Sequence, residues 1–365
     1  MNQVQRPLMD QRIDESHDPR SAVWDAVDGL IDRAPSMHAL WWHGLHLIGA
    51  RRWRDRGATV PLEIYEEERA SALAVLSAPV VLERIRSLCD GPLVLIKGYE
   101  VALLYEDPAL RSFMDVDLLV EDSAVAQQAL LDGGFVEVGD PDMFLDIHHE
   151  RPLWLPGLPL SVEMHHAPKW PEGLNPPPTS ELLELAVPSR SGVDGISTLP
   201  PAAHALIVAA HSWAHLPLRR LQELADIAAV AEQADRREID ELSRKWGLER
   251  VWQTTIACVD SLFHGGRKPG AERIWARHLA GARERTVFES HVQKWVAPFW
   301  AVPWYRAIPF MAAAIADEFR AGEGESWRDK GARTRRALRN AFVPRSEHDW
   351  QLGPGAHRRT RTRRR

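Results

Sequence analysis

The chain has 365 residues, of which 45% are hydrophobic and 26% are charged, and its formal net charge is −6. This length allows two ordinary domains or one large domain with appended segments. The negative charge argues against a general nucleic-acid-binding surface. Cys89 and Cys258 lie far apart, and there is neither a signal-peptide core nor a long apolar run. We therefore expect a cytoplasmic protein without a disulfide framework, a cysteine zinc site or a membrane helix.

The hydrophobic pattern divides the chain into five segments. In order they are a disordered N-terminus (1–20), a helical region (21–90), a small α/β unit (91–170), a second helical region (171–345) and a basic disordered tail (346–365). Pro79 is expected to interrupt or redirect a helix in the first helical region. Pro200 and Pro201 mark the start of a strong helix in the second. The predicted fold class is α+β, a small mixed-sheet core flanked by N-terminal and C-terminal helical regions.

The α/β unit begins with a short apolar strand at residues 93–96, which ends at Lys97-Gly98. A helix follows and stops at Pro108. The next helix has Ser123 as its predicted N-cap and Gly133 as its stop. Further on, the sequence predicts two paired strands around Pro156-Gly157.

The sequence "RSFMDVDLLVED" (111–122) places two carboxylates inside an apolar strand. Residues i and i+2 of a strand point to the same face, so Asp115 and Asp117 project together. Two ionised carboxylates so close repel each other and lose hydration when they are buried. A divalent cation such as Mg²⁺ would remove both penalties. The structural alternative is that one or both residues cap the strand end or form ion pairs there.

The surroundings favour a metal–triphosphate site. A third carboxylate, Glu163, lies in the apolar stretch "LSVEMHH". Gly98 allows backbone N–H groups to approach a phosphate closely, and Lys97 and Arg111 supply positive charge. Each has a structural alternative: a solvated strand end for Lys97, a turn for Gly98 and an ion pair with Asp115 for Arg111.

The stretch "LVLIKGYEVALLYEDPALRSFMDVDLLV" resembles the motif region of the uncharacterised nucleotidyltransferase family of bacteria. The shared order is an apolar strand, Lys-Gly, a short helix, an Arg, and Asp-x-Asp inside a second strand. The later "VEMHH" and "RRLQELADIAAV" are also similar to segments of that family. The resemblance covers roughly residues 93–230 and is carried by the combined order of the motifs.

The resemblance implies a nucleotidyltransferase fold of the DNA polymerase β type with two Mg²⁺ ions. Asp115 and Asp117 would be ligands of both ions, and Glu163 would hold the catalytic ion or take the proton of the attacking group. An acceptor hydroxyl would attack the α-phosphate of an NTP such as ATP and release pyrophosphate. Family members often accompany natural-product genes, which suggests that setting here.

The same resemblance implies nucleotide-binding roles for three residues. Gly98 would admit the phosphates close to the backbone, while Lys97 and Arg111 would neutralise them. The broader superfamily has Gly-Ser after the first strand, with the Ser contacting the phosphates. This chain has Lys97-Gly98 there, as the resembled family does.

Histidines form a rival candidate site. His211 and His215 are four residues apart on a predicted helix and share a face, so with a carboxylate they could form a zinc site. No HExxH motif is present. His165 shares the face of Glu163 and is a candidate to orient the acceptor or a carboxylate, with packing as the alternative. Asp226 is interpreted as a helix-surface charge or as an acid that supports the site.

The leading hypothesis is a Mg²⁺-dependent nucleotidyltransferase that modifies a small molecule or a peptide product. One alternative is a nucleotidyltransferase toxin that modifies tRNA, although the net charge does not favour a nucleic-acid partner. The others are a non-catalytic binding protein with the same fold and a histidine-based metallohydrolase.

Overall fold

The computed structural model describes residues 20–140, 144, 147–321 and 325–345. The basic tail lies outside the described residues, and so does the predicted disordered N-terminus apart from Arg20. Among the described residues, no helix is both long and apolar enough to cross a membrane.

Helices dominate the chain on both sides of a small sheet. The helices are α1 (Arg20–Arg33), α2 (Met37–His43), α3 (His46–Asp55), α4 (Leu62–Leu88), α5 (Tyr99–Ala102), α6 (Ser123–Asp132), α7 (Thr179–Leu185), α8 (Pro201–His215), α9 (Leu221–Ala231), α10 (Arg236–Lys245), α11 (Glu249–Phe263), α12 (Gly270–Ile274), α13 (Arg277–Ala280), α14 (Val287–Val296), α15 (Pro298–Ala301), α16 (Trp304–Phe319) and α17 (Trp327–Arg339), with a 3₁₀ turn at Pro108–Leu110. The strands are β1 (Val94–Leu95), β2 (Asp115–Leu119), β3 (Val136–Glu137), β4 (Leu153–Trp154), β5 (Ser161–His165), β6 (Val187–Pro188) and β7 (Ser197–Thr198). The predicted α+β fold class is confirmed.

The seven strands form one mixed sheet in the order β3-β4-β5-β2-β1-β7-β6. Strands β2 and β5 pair in parallel at its centre, and β1 pairs antiparallel with β2. The predicted strand pair around Pro156-Gly157 is the antiparallel β4–β5 pair. Strands β6 and β7 were not expected, and they carry the sheet beyond the predicted core of residues 91–170.

The two faces of the sheet pack against different parts of the chain. Apolar side chains of one face join a core with α4 and α6; they include Val116, Leu118, Val162 and Met164. Alternation sends Asp117, Leu119 and Glu163 to the opposite face. Leu119 belongs there to the larger core built from α1, α8, α9 and α11. The carboxylates therefore lie on the sheet face that the C-terminal helices cover.

Two local predictions need correction. Asp122, not Ser123, is the N-cap of α6, and its side chain accepts a hydrogen bond of 3.0 Å from the Val125 N–H. Pro79 lies inside the continuous helix α4 and does not divide it. The predicted stop of α6 at Gly133 is confirmed.

Candidate active site

Parallel pairing of β2 with β5 brings the three predicted carboxylates together. In the register of the two strands, Asp115 lies opposite Ser161 and Asp117 lies opposite Glu163. Because side chains alternate along each strand, these carboxylates and His165 share one face. Asp115 and Asp117, which are neighbours on β2, thus form a cluster with Glu163 of β5, a strand from a distant part of the chain.

Burial makes Asp117 the central member of this cluster. Its side chain is 1% exposed, whereas those of Asp115 and Glu163 are 32% and 22% exposed. The Oδ2 atom of Asp117 is buried without a hydrogen-bond partner. Lys97 Nζ lies 3.5 Å from this oxygen but forms no hydrogen bond to it. A buried charged oxygen that accepts no hydrogen bond is costly, so this atom is suited to accept a bound cation.

Repulsion between the acids separates their pKa values. The charge of Asp117, reinforced by burial, raises the pKa of Asp115. Burial alone would also raise the pKa of Asp117, but Lys97 and the hydrogen bond from His165 outweigh it and hold that pKa well below its usual range. Burial likewise opposes the ionisation of Glu163, yet the hydrogen bond from His165 leaves its pKa lowered. Asp117 and Glu163 therefore carry negative charge at neutral pH.

Lys97 lies at the end of β1 and balances this charge. Its Nζ atom is 3.6 Å from Asp115 Oδ2 and 3.5 Å from Asp117 Oδ2. Burial would lower the pKa of Lys97, but the two carboxylates outweigh it and raise that pKa above its ordinary value. The ammonium group is therefore charged and lies against two of the three carboxylates.

Gly98 makes the closest backbone approach in the site. Its φ of +60° is a conformation that favours glycine, and a Cβ built there would lie 2.6 Å from the carbonyl oxygen of Asp115. No other residue type fits without displacing strand β2. The close approach at Gly98 is to β2, and the expected approach of a phosphate to its backbone stays a prediction.

Arg111 has a different environment from the one predicted. Its guanidinium forms a two-pronged ion pair with Asp226, with Nε–Oδ1 and Nη2–Oδ2 distances of 2.9 and 2.8 Å. Its Nη1 donates to the carbonyl of Gly98 at 3.1 Å, and the residue is only 5% exposed. The Tyr105 hydroxyl also donates to Asp226, at 2.6 Å. Arg111 therefore holds the Gly98 turn, and this placement does not favour the predicted direct contact with a phosphate.

Asp226 is consequently no helix-surface charge. It is 3% exposed, on the inner side of α9, and it neutralises Arg111. The sequence suggested Asp115 as the ion-pair partner of Arg111, should Arg111 not contact a substrate. The actual partner lies 115 positions further along the chain, where no local pattern could reveal it.

His165 links two of the carboxylates. Its Nε2 atom is 3.2 Å from Asp117 Oδ1 and 3.5 Å from Glu163 Oε2. Burial would lower the pKa of His165, but its two carboxylate partners outweigh burial and raise that pKa. The Nε2 atom of His149 also approaches Glu163 Oε2, at 3.6 Å, while its Nδ1 donates to the carbonyl of Glu150. His149 was not singled out from the sequence.

His211 and His215 lie on α8, which covers the carboxylate face. Their rings are 4.6 Å apart, and both nitrogens of His215 lie about 3 Å from Lys169 Nζ, at 3.0 and 2.9 Å. Burial first, and then the neighbouring cations Lys97 and Lys169, lower the pKa values of both histidines. They are therefore neutral at physiological pH.

The donor groups fit a divalent cation. Within the part of the chain that the structure describes, Asp117, Glu163 and His165 form the one cluster of such donors, with ligand atoms all within 4.8 Å of one another. Two carboxylates suit Mg²⁺ or Mn²⁺, and the imidazole adds a donor that transition metals accept. His211 and His215 do not enter such a cluster with a carboxylate, so this geometry gives no support to the histidine-based zinc site.

The comparison with protein families agrees with this arrangement. Residues 37–264, more than half of the chain, match the model of a family described as uncharacterised nucleotidyltransferase. The chain belongs to this family. The match includes all three carboxylates and ends before α12. Searches of the curated proteins and of the solved structures gave no match, so the relationship to known proteins rests on the family model.

Proposed function

We propose that this nucleotidyltransferase moves a nucleoside monophosphate from an NTP to a hydroxyl group of a small-molecule or peptide acceptor and releases pyrophosphate. One observation carries the proposal: Asp117 and Glu163 oppose each other on parallel strands, beside Asp115, with a buried Asp117 oxygen that lacks a hydrogen-bond donor. The family resemblance adds a DNA polymerase β type of fold and a bacterial natural-product setting to the proposal.

Asp115, Asp117 and Glu163 would hold the divalent cations, which we propose to be two Mg²⁺ ions, and His165 would adjoin them. Bound in this way, the ions would polarise the α-phosphate and stabilise the entering and leaving oxygens. Protein side chains then have little covalent work to do, because positioning and charge stabilisation dominate phosphoryl transfer.

The remaining steps use groups of the chain itself. An acceptor oxygen forms a bond to the α-phosphorus, while the bond from that phosphorus to the bridging oxygen breaks and pyrophosphate leaves with the electron pair. The acceptor proton passes to Glu163, which is the more exposed of the two carboxylates that contact His165. A carboxylate held 3.5 Å from the His165 ring stays ionised and oriented to receive it.

Lys97 and Gly98 form the phosphate side of the site in this proposal. The Lys97 ammonium, already charged, would leave its carboxylate partners for the triphosphate as the cations enter. Gly98 lets the triphosphate approach the backbone at the start of α5. Arg111 acts as a positioning residue, since it donates to the carbonyl of Gly98.

Thermal melting with each of the four common NTPs, with and without Mg²⁺, tests the proposal. A ligand that binds only the folded protein stabilises it, by about 2.7 kcal/mol at a hundredfold excess over its Kd. We expect at least one NTP to raise the melting temperature only when Mg²⁺ is present. The shift should vanish in Asp117→Asn and persist in Glu121→Gln, a matched removal of an exposed charge just beyond β2. The absence of a shift with every NTP in the wild-type protein would contradict the proposal.

A further inference from the structure

Three arginines meet outside the carboxylate cluster, where the connection between α8 and α9 lies against the segment before α14. Arg285 Nη2 donates to the carbonyls of Pro217 and Leu218, both at 2.7 Å. Arg219 and Arg220 follow immediately in the chain. We call Arg219, Arg220 and Arg285 the arginine cluster.

An indole forms one wall of this cluster. The guanidinium carbons of Arg219 and Arg220 lie 5.2 and 5.8 Å from the centre of the Trp42 ring. Stacking on an aromatic face holds a guanidinium in place while leaving its N–H groups free to bind.

Many donors in the arginine cluster have no acceptor. Within the described residues, no hydrogen-bond partner exists for the buried Nε atoms of Arg219, Arg220 and Arg285, for Arg285 Nη1 or for Trp42 Nε1. Arg285 is only 2% exposed. Five unsatisfied buried donors in one place are unusual, because buried polar groups in proteins almost always have partners. A bound anion would satisfy them together.

Charge balance leads to the same conclusion. In the described part of the chain, Arg111 and Arg283 each have a carboxylate partner, whereas no carboxylate lies within ion-pair distance of the arginine cluster. Burial, followed by the charge of Arg219, lowers the pKa of Arg220. Burial also lowers the pKa of Arg285 to about 9. Cations are rarely buried in this way without a partner.

Glu223 is the carboxylate of α9 whose charge reaches this cluster. It accepts a hydrogen bond of 2.7 Å from Ser212, and burial raises its pKa despite the charges of Arg219 and Arg220. The charge of Glu289 also acts on Arg285, but Glu289 is already ion-paired with Arg283. Glu223, which burial disposes toward its neutral form, cannot balance three arginines. The cluster therefore keeps an excess of positive charge.

The backbone beneath the cluster is strained. Leu218 and Ala282 have φ values of 48° and 43°, a region that residues other than glycine rarely adopt. Such strain persists only where the surrounding structure enforces it, and it is concentrated at binding sites. Here the strained residues lie in the two segments that Arg285 ties together.

His215 is the last residue of α8 and lies four positions before Arg219 in the chain. After burial, the charges of Lys169, Lys97 and Arg219 lower its pKa to about 4, and Asp117 acts on it in the opposite direction. The charges of Arg219 and of Asp117 therefore both act on this imidazole.

We propose that the arginine cluster binds a phosphate group of a substrate. Guanidinium groups pair with phosphate oxygens through two parallel hydrogen bonds, and the Trp42 indole adds one more donor. The phosphate would belong either to the terminal part of the NTP or to a phosphorylated acceptor. Its assignment to a substrate rests on the proposed function, whereas the anion site itself does not.

Calorimetric titration with inorganic pyrophosphate in EDTA tests this inference without the metal. Wild-type protein should bind pyrophosphate, and Arg219→Gln and Arg220→Gln should each weaken binding at least tenfold. A control, Arg244→Gln at an exposed arginine of α10, should bind as the wild type does. The inference is overturned if the wild type does not bind, or if the cluster variants bind equally well.

Melting of the unliganded variants separates binding from a structural role. The Arg220 side chain makes no hydrogen bond within the described residues, so its replacement removes a partly buried, unpaired charge. Arg220→Gln should therefore melt at the same temperature as the wild type or higher. A lower melting temperature with unchanged pyrophosphate affinity would show that stacking on Trp42 is its only role, and would overturn the inference.

Competition identifies the source of the phosphate. If a Mg²⁺–NTP complex displaces pyrophosphate, the arginine cluster takes the terminal phosphates of the nucleotide. If pyrophosphate and the nucleotide bind together, the cluster takes a phosphorylated acceptor. If pyrophosphate binds through the arginines but no NTP binds, the anion site stands and the proposed nucleotidyl transfer fails.

Discussion

Replacing Gly98 with alanine tests how closely the backbone after β1 approaches strand β2. The added Cβ would lie 2.6 Å from the carbonyl oxygen of Asp115, at a backbone φ of +60°. The backbone conformation alone costs about 1–3 kcal/mol for a residue with a side chain. Displacing a strand carbonyl adds about 1–3 kcal/mol more, as overpacking typically does. We therefore expect Gly98→Ala to lower the free energy of unfolding by roughly 2–6 kcal/mol.

Gly192→Ala is the matched control for this variant. Its φ is +74°, but no atom lies within 4 Å of the added Cβ, so only the conformational cost applies. Denaturant unfolding of both variants should show that Gly98→Ala is less stable by about 1–3 kcal/mol, and it alone should lose the NTP-dependent rise in melting temperature. Equal destabilisation of the two variants would refute the argument from close approach.

Three further predictions concern buried and paired groups. Asp226→Asn should lower the free energy of unfolding by about 3–5 kcal/mol, measured in denaturant, because it leaves the charge of Arg111 buried and unpaired. A decrease below about 1 kcal/mol would contradict this. The hydrogen bond from His291 lowers the pKa of Glu318 from 4.5 to about 2. The resulting stability is present above about pH 4.5 and is lost as the pH falls through 2. Glu318→Gln should therefore be about 1–2 kcal/mol less stable than the wild type at pH 7 and equally stable near pH 2. A stability difference that does not change with pH would contradict this role of Glu318. Burial raises the pKa of Cys258 to about 12, so this thiol should react with a disulfide reagent at pH 8 only after unfolding, and rapid labelling of the native protein would disprove its burial.

The sequence was most informative where local periodicity carries the answer. The alternation of apolar and acidic residues in β2 is enough to place Asp115 and Asp117 on one face. The same alternation around Glu163 predicts a second acidic strand. The tertiary fold then places these two strands side by side in parallel, with Asp117 opposite Glu163. Local periodicity does not predict this pairing.

Contacts between distant segments escaped prediction for a physical reason. Arg111 follows a turn and precedes acidic residues, so the local pattern suggested a substrate or Asp115 as its partner. Helix packing instead brings Asp226 to its guanidinium. The two-residue strands β6 and β7 were missed because so few residues show no periodicity.

Mn²⁺ binding followed by electron paramagnetic resonance tests the proposed cation site most directly. The signal of free aqueous Mn²⁺ falls when the ion binds, whatever the acceptor or the preferred base. Wild-type protein and Glu121→Gln should reduce this signal, and Asp117→Asn should leave it near the level of buffer alone. An undiminished signal with the wild type, or equal binding by Asp117→Asn, would contradict a cation site at Asp117.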